Sequence, residues 1–305
     1  MSTLIARQYL QLLQMPGTFH AQKINCELCN SNDHLCLLDS VQGPCGKAVA
    51  LPVLGCRDCG HIYQKYRFSE TFYKAYYNKF YRLNLFGNNE PERAFFQDQV
   101  RRGEHLCQYL KSILPSKGKL LDVGCSAGGM MIPFAKRGWS VKGNDPDRAY
   151  VEYGKKIGLS IDLVGAEHMS PHGDYNFIII NGSLEHVHDV NKVMRLCRKA
   201  SAENGLLLIE GRALGNGIKQ GFLTHNHRRY LTTNSIEHLM YQHNWEPIHT
   251  THDPVCGPTR PGAVFVLGRA CVNIDSKRLE GIKAQGRKAL QEDHMPSLRA
   301  LRPLT

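Results

Sequence analysis

The sequence predicts an α/β fold: a mainly parallel sheet with helices on both faces, preceded by a small metal-knuckle domain. Three observations lead there. From Lys119 onward, short apolar runs alternate with helical patterns of roughly ten residues, as βαβ units require. The first of these runs, Leu120 to Val123, feeds a turn of small residues, Gly124-Cys125-Ser126-Ala127-Gly128-Gly129. Upstream, two Cys-x-x-Cys pairs, Cys26/Cys29 and Cys56/Cys59, stand with 26 residues between Cys29 and Cys56.

The elements follow in order. Residues 1–20 read as a short helix ending near Pro16-Gly17, and residues 21–68 are turn-rich around the cysteine pairs. Residues 69–115 read as helical, with aromatics at Phe72, Tyr73, Tyr76, Tyr77, Phe80 and Tyr81 and a break at Asn88-Asn89-Glu90-Pro91. Strands are expected at Leu120–Val123, Trp139–Gly143, Ser160–Val164, Phe177–Ile180 and Leu206–Glu210. Helices are expected at Gly129–Arg137, Asp147–Ile157 and Val190–Ala200. A helix after Asn234 and two runs, Glu246–Thr250 and Ala263–Leu267, close the sheet as an antiparallel pair.

Composition narrows the class. The chain has 305 residues, 42% hydrophobic and 21% charged, which is globular and excludes a mostly disordered chain. No apolar run approaches the ~20 residues of a membrane span, and no secretory signal is expected at the start. Residues 2–14 are amphipathic and read as a surface or dimer helix. Eleven cysteines, an odd number mostly scattered, fit a reducing cytoplasmic setting with one metal site. The net charge of +11 suits anionic small molecules and nucleic acid alike. Seven Lys/Arg against three acids between Lys277 and Arg302 read as a solvated helix face.

The glycine turn lets a ligand approach the backbone closely and presents N–H groups to it. Asp145 follows the next strand, seventeen residues beyond Gly128, where an acid would grip a ribose diol. A nicotinamide site usually shows Gly-x-Gly-x-x-Gly, and the small residues at 124, 126, 128 and 129 fit that spacing poorly. Two knuckles offering two thiolates each make a closed tetrahedral four-sulfur site, expected to hold a structural Zn2+ at Cys26, Cys29, Cys56 and Cys59.

From Leu120 to about Gly268 the chain resembles the class I S-adenosylmethionine-dependent methyltransferases, whose first motif reads hydrophobic-Asp-x-Gly-x-Gly-x-Gly; Ser126 replaces the middle glycine here. The resemblance implies a Rossmann-like sheet and an S-adenosylmethionine cofactor. It implies that Asp122 fixes the amino-acid end, that Gly124, Cys125, Ser126 and Gly128 line the methionine moiety, and that Asp145 with Pro146 holds the ribose. It places Gly165-Ala166-Glu167 at the adenine and Asn181 beside the cofactor. Tyr175-Asn176-Phe177-Ile178 and Leu184-Glu185-His186 continue the likeness. The knuckles followed by Phe72-Tyr73 and Tyr76-Tyr77 are similar to zinc-binding C-methyltransferases of nucleotide-linked deoxysugars, which carry a further large domain where this chain has 37 residues past Gly268.

Methyl transfer needs a positioned nucleophile and, where a proton must leave, a base. Candidates are His225, His227 and Tyr230 in Thr224-His225-Asn226-His227-Arg228-Arg229-Tyr230, and His186 after the fourth strand. An extended segment would turn His225 and His227 to one face. Arg228 and Arg229 suit a phosphate or carboxylate. Tyr76, Tyr77 and Tyr81 are read equally as a lid or a core stripe, and Arg260 as a residue facing the pocket. The expected domains are 1–20 (helix), 21–68 (zinc-binding), 69–115 (helical linker or lid), 116–270 (cofactor-binding) and 271–305 (basic extension). A small, anionic acceptor is the first reading. An RNA base methyltransferase and a catalytically silent binding protein are the alternatives, and oligomeric state stays open.

Overall fold

The computed structural model describes residues 9–15, 20–43, 46–211 and 223–299. Of the expected N-terminal helix, a helical turn at 9–12 falls within them; residues 1–8 and 16–19 lie outside.

The N-terminal strands are β1 (Ala21–Lys23), β2 (His34–Leu38), β3 (Val41–Gln42), β4 (Ala48–Val49), β5 (Val53–Cys56), β6 (Ile62–Gln64) and β7 (Tyr66–Phe68). The aromatic stretch forms α1 (Glu70–Lys79), α2 (Tyr81–Phe86) and α3 (Arg93–Tyr109). Ser69 caps α1 by accepting from Phe72 N, and Gly87 in the left-handed conformation ends α2.

The larger unit runs β8 (Lys119–Val123), a 3₁₀ turn Gly129–Met131, α4 (Ile132–Lys136), β9 (Ser140–Asp145), α5 (Arg148–Lys156), β10 (Ile161–Leu163), β11 (Tyr175–Asn181), α6 (Val190–Ala200), β12 (Ser201–Gly211), β13 (Arg229–Tyr230), α7 (Thr233–Gln242), β14 (Trp245–Thr251) and β15 (Val264–Ala270). After it come α8 (Ser276–Ala289), a π-helical turn Leu290–His294 and α9 (Met295–Arg299). The expected helix 129–137 divides between the 3₁₀ turn and α4, with Pro133 near the α4 start.

Seven strands form one sheet in the order β10-β9-β8-β11-β12-β15-β14. The pairs from β10 to β12 are parallel and β14/β15 is antiparallel, as the sequence suggests; β15 also runs antiparallel to β12, which joins that pair to the parallel strands. The order reverses between β8 and β11, so the crevice beyond their carboxyl ends is the ligand position in such sheets. Apolar clusters cover both faces, one around Ile178, Ile180, Leu207 and Trp245, the other around Leu120, Phe134, Phe177 and Phe265. Phe177 and Ile178 are both fully buried, which explains why β11 reads as a continuous apolar run.

The knuckle unit is woven into this sheet domain. A second sheet, β13-β6-β5-β2, takes its edge strand from beyond β12, with Arg229 opposite Tyr63 and Tyr230 opposite Ile62. The basic C-terminal stretch keeps Lys277, Arg278 and Lys288 of α8 exposed, as a solvated face would, while the opposite side of the helix packs on the knuckle. Gly60 has φ 77°, and a Cβ there would lie 2.0 Å from Gly286 O of α8, so the two backbones meet directly. Arg287 also donates to Asp58 O at 2.7 Å.

Candidate functional site

Gly124 and Cys125 both donate to Asn144 O (2.9 and 3.0 Å), tying the turn after β8 to the end of β9. Gly124 has φ 74°, and a Cβ there would lie 2.6 Å from Ser183 Cβ, so the turn admits no side chain. Asp145 accepts from Ser126 N at 2.8 Å through one oxygen and from Asp147 N at 2.9 Å through the other. It is buried, and burial raises its pKa against the pull of Arg82. Arg82 of α2 lies over this turn. It donates to Ser126 Oγ (3.1 Å) and Asp147 Oδ2 (3.0 Å), and its guanidinium sits 4.0 Å over the Tyr150 ring.

The turn opens on a cavity of about 1330 Å³. Gly124, Ser126, Asp145, Pro146, Ala166, Glu167, Asn181, His186, His225 and His227 all reach its wall, as do Tyr76, Tyr77, Tyr81 and Arg260. Among residues expected at the site, Asp122, Cys125, Gly128 and Tyr230 do not. Asp122 is a buried β8 residue whose pKa burial pushes up to about 7. The Cys125 thiol turns into the core, and a Cβ on Gly143 would meet its Sγ at 2.5 Å. Gly128 packs toward Met131 and Leu159. The expectation for Tyr230 is corrected: as part of β13 it is buried in the apolar cluster with Val53, Ile62 and Leu290 and does not line this cavity.

The segment after β12 is a turn rather than an extended strand, because His227 N donates to Thr224 O at 3.2 Å. The two imidazoles therefore part. His225 Nδ1 is 2.8 Å from Tyr9 OH, and burial pushes its pKa down to about 3. His227 faces His186, ring centroids 4.9 Å apart. The His186 Nδ1–H donates to Asn226 O at 3.0 Å, which leaves the lone pair on Nε2. Burial, then the neighbouring His227 and Arg228, holds His186 well below the usual histidine range.

Of three further wall residues, Glu185, Glu167 and Arg102, only Arg102 lies outside the stretches that carry the family resemblance. Glu185 is 3% exposed, neither carboxylate oxygen has a hydrogen-bond partner, and burial pushes its pKa to about 7. Its backbone oxygen accepts from Arg228 N at 3.0 Å. Arg102 of α3 donates to Asn181 Oδ1 at 3.0 Å, fixing that side chain at the end of β11. The Glu167 carboxylate faces the N-terminus of α6, accepting from the N–H groups of His188 and Asp189.

The four knuckle cysteines meet as expected. Asn30 N donates to Cys26 O (2.8 Å) and Gly60 N to Cys56 O (2.9 Å), so the two knuckles close by the same turn. Both closing residues adopt positive φ, 61° at Asn30 and 77° at Gly60. The Sγ–Sγ separations are 3.6 Å for Cys26–Cys59 and 3.5 Å for Cys29–Cys56, and all four sulfurs lie within 4.8 Å of one another. A tetrahedral Zn²⁺ with ~2.3 Å arms has S–S edges near ~3.8 Å, so the donor set and spacing fit that ion.

A family model described as a methyltransferase domain matches residues 96–250. The chain is similar to a ubiquinone biosynthesis O-methyltransferase of Rhizobium johnstonii, 32% identical over 139 residues, covering 43% of this chain and 54% of that protein. A protein of the same name from Chelativorans sp. is 30% identical over 139 residues, covering 43% of this chain and 53% of its own length. The chain thus spans about half the length of these curated relatives. Among solved structures, the magnesium protoporphyrin IX methyltransferase of Synechocystis PCC 6803 superposes with a TM-score of 0.49 at 17% identity, covering 66% of this chain and all of that one. No described helix is long and apolar enough to cross a membrane. With the family model covering half of its length, from α3 through β14, the chain belongs to the methyltransferase-domain family.

Proposed function

We propose that this protein transfers a methyl group from S-adenosylmethionine to a small-molecule acceptor, and that its cysteine knuckles hold one structural Zn²⁺. The observation that carries the reading is Asp145. It stands at the carboxyl end of β9, is clamped to the Gly124–Ser126 turn at 2.8 Å, and opens on the cavity of a methyltransferase-domain chain. When bound, the cofactor supplies an electrophilic methyl group on a sulfonium. Asp145 would hold the ribose diol, Gly124 and Ser126 the methionine end, with Cys125 and Gly128 shaping the turn from behind. Ala166 and Glu167 would border the adenine, beside Pro146, and Asn181 the reacting end. Asp122 would act through the turn it precedes.

On the acceptor side His186 is the favoured base. Its Nδ1 proton is fixed on Asn226 O, so Nε2 is free to take the acceptor's proton as the new bond to the methyl carbon forms. His227 would orient it, and His225 would brace the Tyr9 contact. The knuckle region 21–68, the helices of 69–115 and the sheet domain 116–270 then divide the work into scaffold, cover and cofactor site. Within the extension 271–305, α8 would buttress the knuckle through Gly286.

The test is incubation of the purified protein with methyl-labelled cofactor and a small-molecule extract. Label appearing in a small-molecule fraction supports the reading. Label appearing only in added RNA favours the RNA-methylating alternative, and cofactor binding without transfer to either favours a silent binding protein.

A further inference from the structure

Among the described residues five arginines are buried: Arg67, Arg82, Arg102, Arg228 and Arg229. Four of them form an ion pair, Arg67 and Arg229 with Glu27, Arg82 with Asp147 and Arg102 with Asp98. Arg228 has no such carboxylate, although it is 1% exposed and lines the cavity. Its Nε and Nη1 have no hydrogen-bond partner. A guanidinium stays charged when buried, so those donors are left unsatisfied by the protein.

The side chain is also held in place. Arg228 N donates to Glu185 O at 3.0 Å, and Arg228 O accepts from Gln64 N at 2.9 Å. The guanidinium carbon lies 3.2 Å over the Tyr73 ring and 5.6 Å from the Tyr77 ring. Stacking satisfies the flat face of the group but not the N–H bonds in its plane. The acid that faces it most closely in charge, Glu167, is already engaged by the N–H groups of His188 and Asp189.

We propose that Arg228 is an oxyanion subsite and that the methyl acceptor is a small molecule bearing a carboxylate or phosphate, held there while a hydroxyl or amine reaches Glu185 and His186. This rests on the methyltransferase reading of the same cavity. Arg229, the other half of the cationic pair, takes no part, because Glu27 and two backbone carbonyls occupy it.

The experiment is calorimetric titration of the full chain with inorganic phosphate, benzoate and the uncharged benzamide. S-adenosylhomocysteine binding is measured first in the same cell. The expected result is saturable binding of phosphate or benzoate, with benzamide and the Arg228→Met anion affinity both weaker by at least about tenfold. Cofactor-product affinity should stay within about twofold in Arg228→Met. Absence of saturable binding by either anion, or equal anion binding by Arg228→Met, overturns the proposal. If Arg228→Met does not fold, Arg228→Lys identifies the Arg228 Nε–H resonance, and its shift on adding anion to the unmodified protein gives the answer; an unmoved resonance overturns the subsite. If S-adenosylhomocysteine itself does not bind, the methyltransferase reading fails separately, and the same anion titrations on the protein alone still decide Arg228.

Discussion

Glu27, set between the two cysteines of the first knuckle, accepts from Arg229 Nε at 2.5 Å, and the same arginine donates from Nη1 to Leu184 O (2.5 Å) and Val187 O (2.9 Å). Those carbonyls bracket Glu185 and His186. The knuckle is therefore bonded, through one carboxylate and one guanidinium, to the turn that presents the favoured base. Arg67 and His61 complete the ring around Glu27 at 3.0 and 3.3 Å.

Removing the charge at Glu27 leaves Arg229 and Arg67 buried without their counter-ion. Glu27→Gln is expected to cost ~3–5 kcal/mol, the range for breaking a buried pair, measured by urea unfolding. Burial alone would raise the Glu27 pKa, but Arg229 and Arg67 outweigh it and hold it well below the usual carboxylate range. The folded value is thus lower than the unfolded one. The stabilisation is complete above the ordinary carboxylate pKa and drains away as pH falls through the lowered folded value. The difference between wild type and Glu27→Gln should shrink only in acid.

Metal analysis should find one Zn²⁺ per chain, and X-ray absorption should show four sulfurs at ~2.3 Å. Well under one equivalent in freshly purified protein contradicts the assignment. Chelation or Cys56→Ser should loosen the knuckle and, through Glu27 and Arg229, reduce turnover more than cofactor affinity.

His186→Asn should lower turnover by ~10²–10⁴ if proton removal accompanies transfer. Because His186 is held below the usual histidine range, its base form is present at neutral pH, and its acidic limb should fall below the ordinary histidine pKa. His225→Phe should mainly disturb the packing on Tyr9. Equal losses of turnover from both substitutions, at unchanged stability, would remove the distinction drawn between the two imidazoles.

Arg82→Met removes the bonds to Ser126 and Asp147 that hold the turn. Cofactor affinity should fall by ~1–3 kcal/mol, read by titration. An unchanged affinity would make Arg82 a packing residue of α2.

Much of the larger domain was legible from residues 119–270 because buried parallel strands leave unbroken apolar runs. Phe177–Ile180 is one, and the small-residue turn after Val123 marks the ligand end. The four-cysteine cluster was legible because Cys-x-x-Cys sets two thiols on one turn. The acceptor side was not. His225 and His227 are two apart, and only the 3₁₀-like turn from Thr224 to His227 shows that one faces Tyr9 and the other His186. Tyr230 looked like a phenol at a strand end, but its pairing with Ile62, some 170 residues earlier in the chain, buries it in another cluster. Glu27 and Arg229 are likewise joined only by tertiary structure, and no local pattern marks a partner 202 residues away.

The most direct test of the account is the affinity of S-adenosylhomocysteine for the wild type and for Asp145→Ala, both by calorimetry. One site per chain is expected, with a loss of ~1.5–3 kcal/mol on removing the carboxylate, the range for charge-assisted bonds to a diol. No binding by the wild type, or an unchanged dissociation constant in Asp145→Ala, would contradict it.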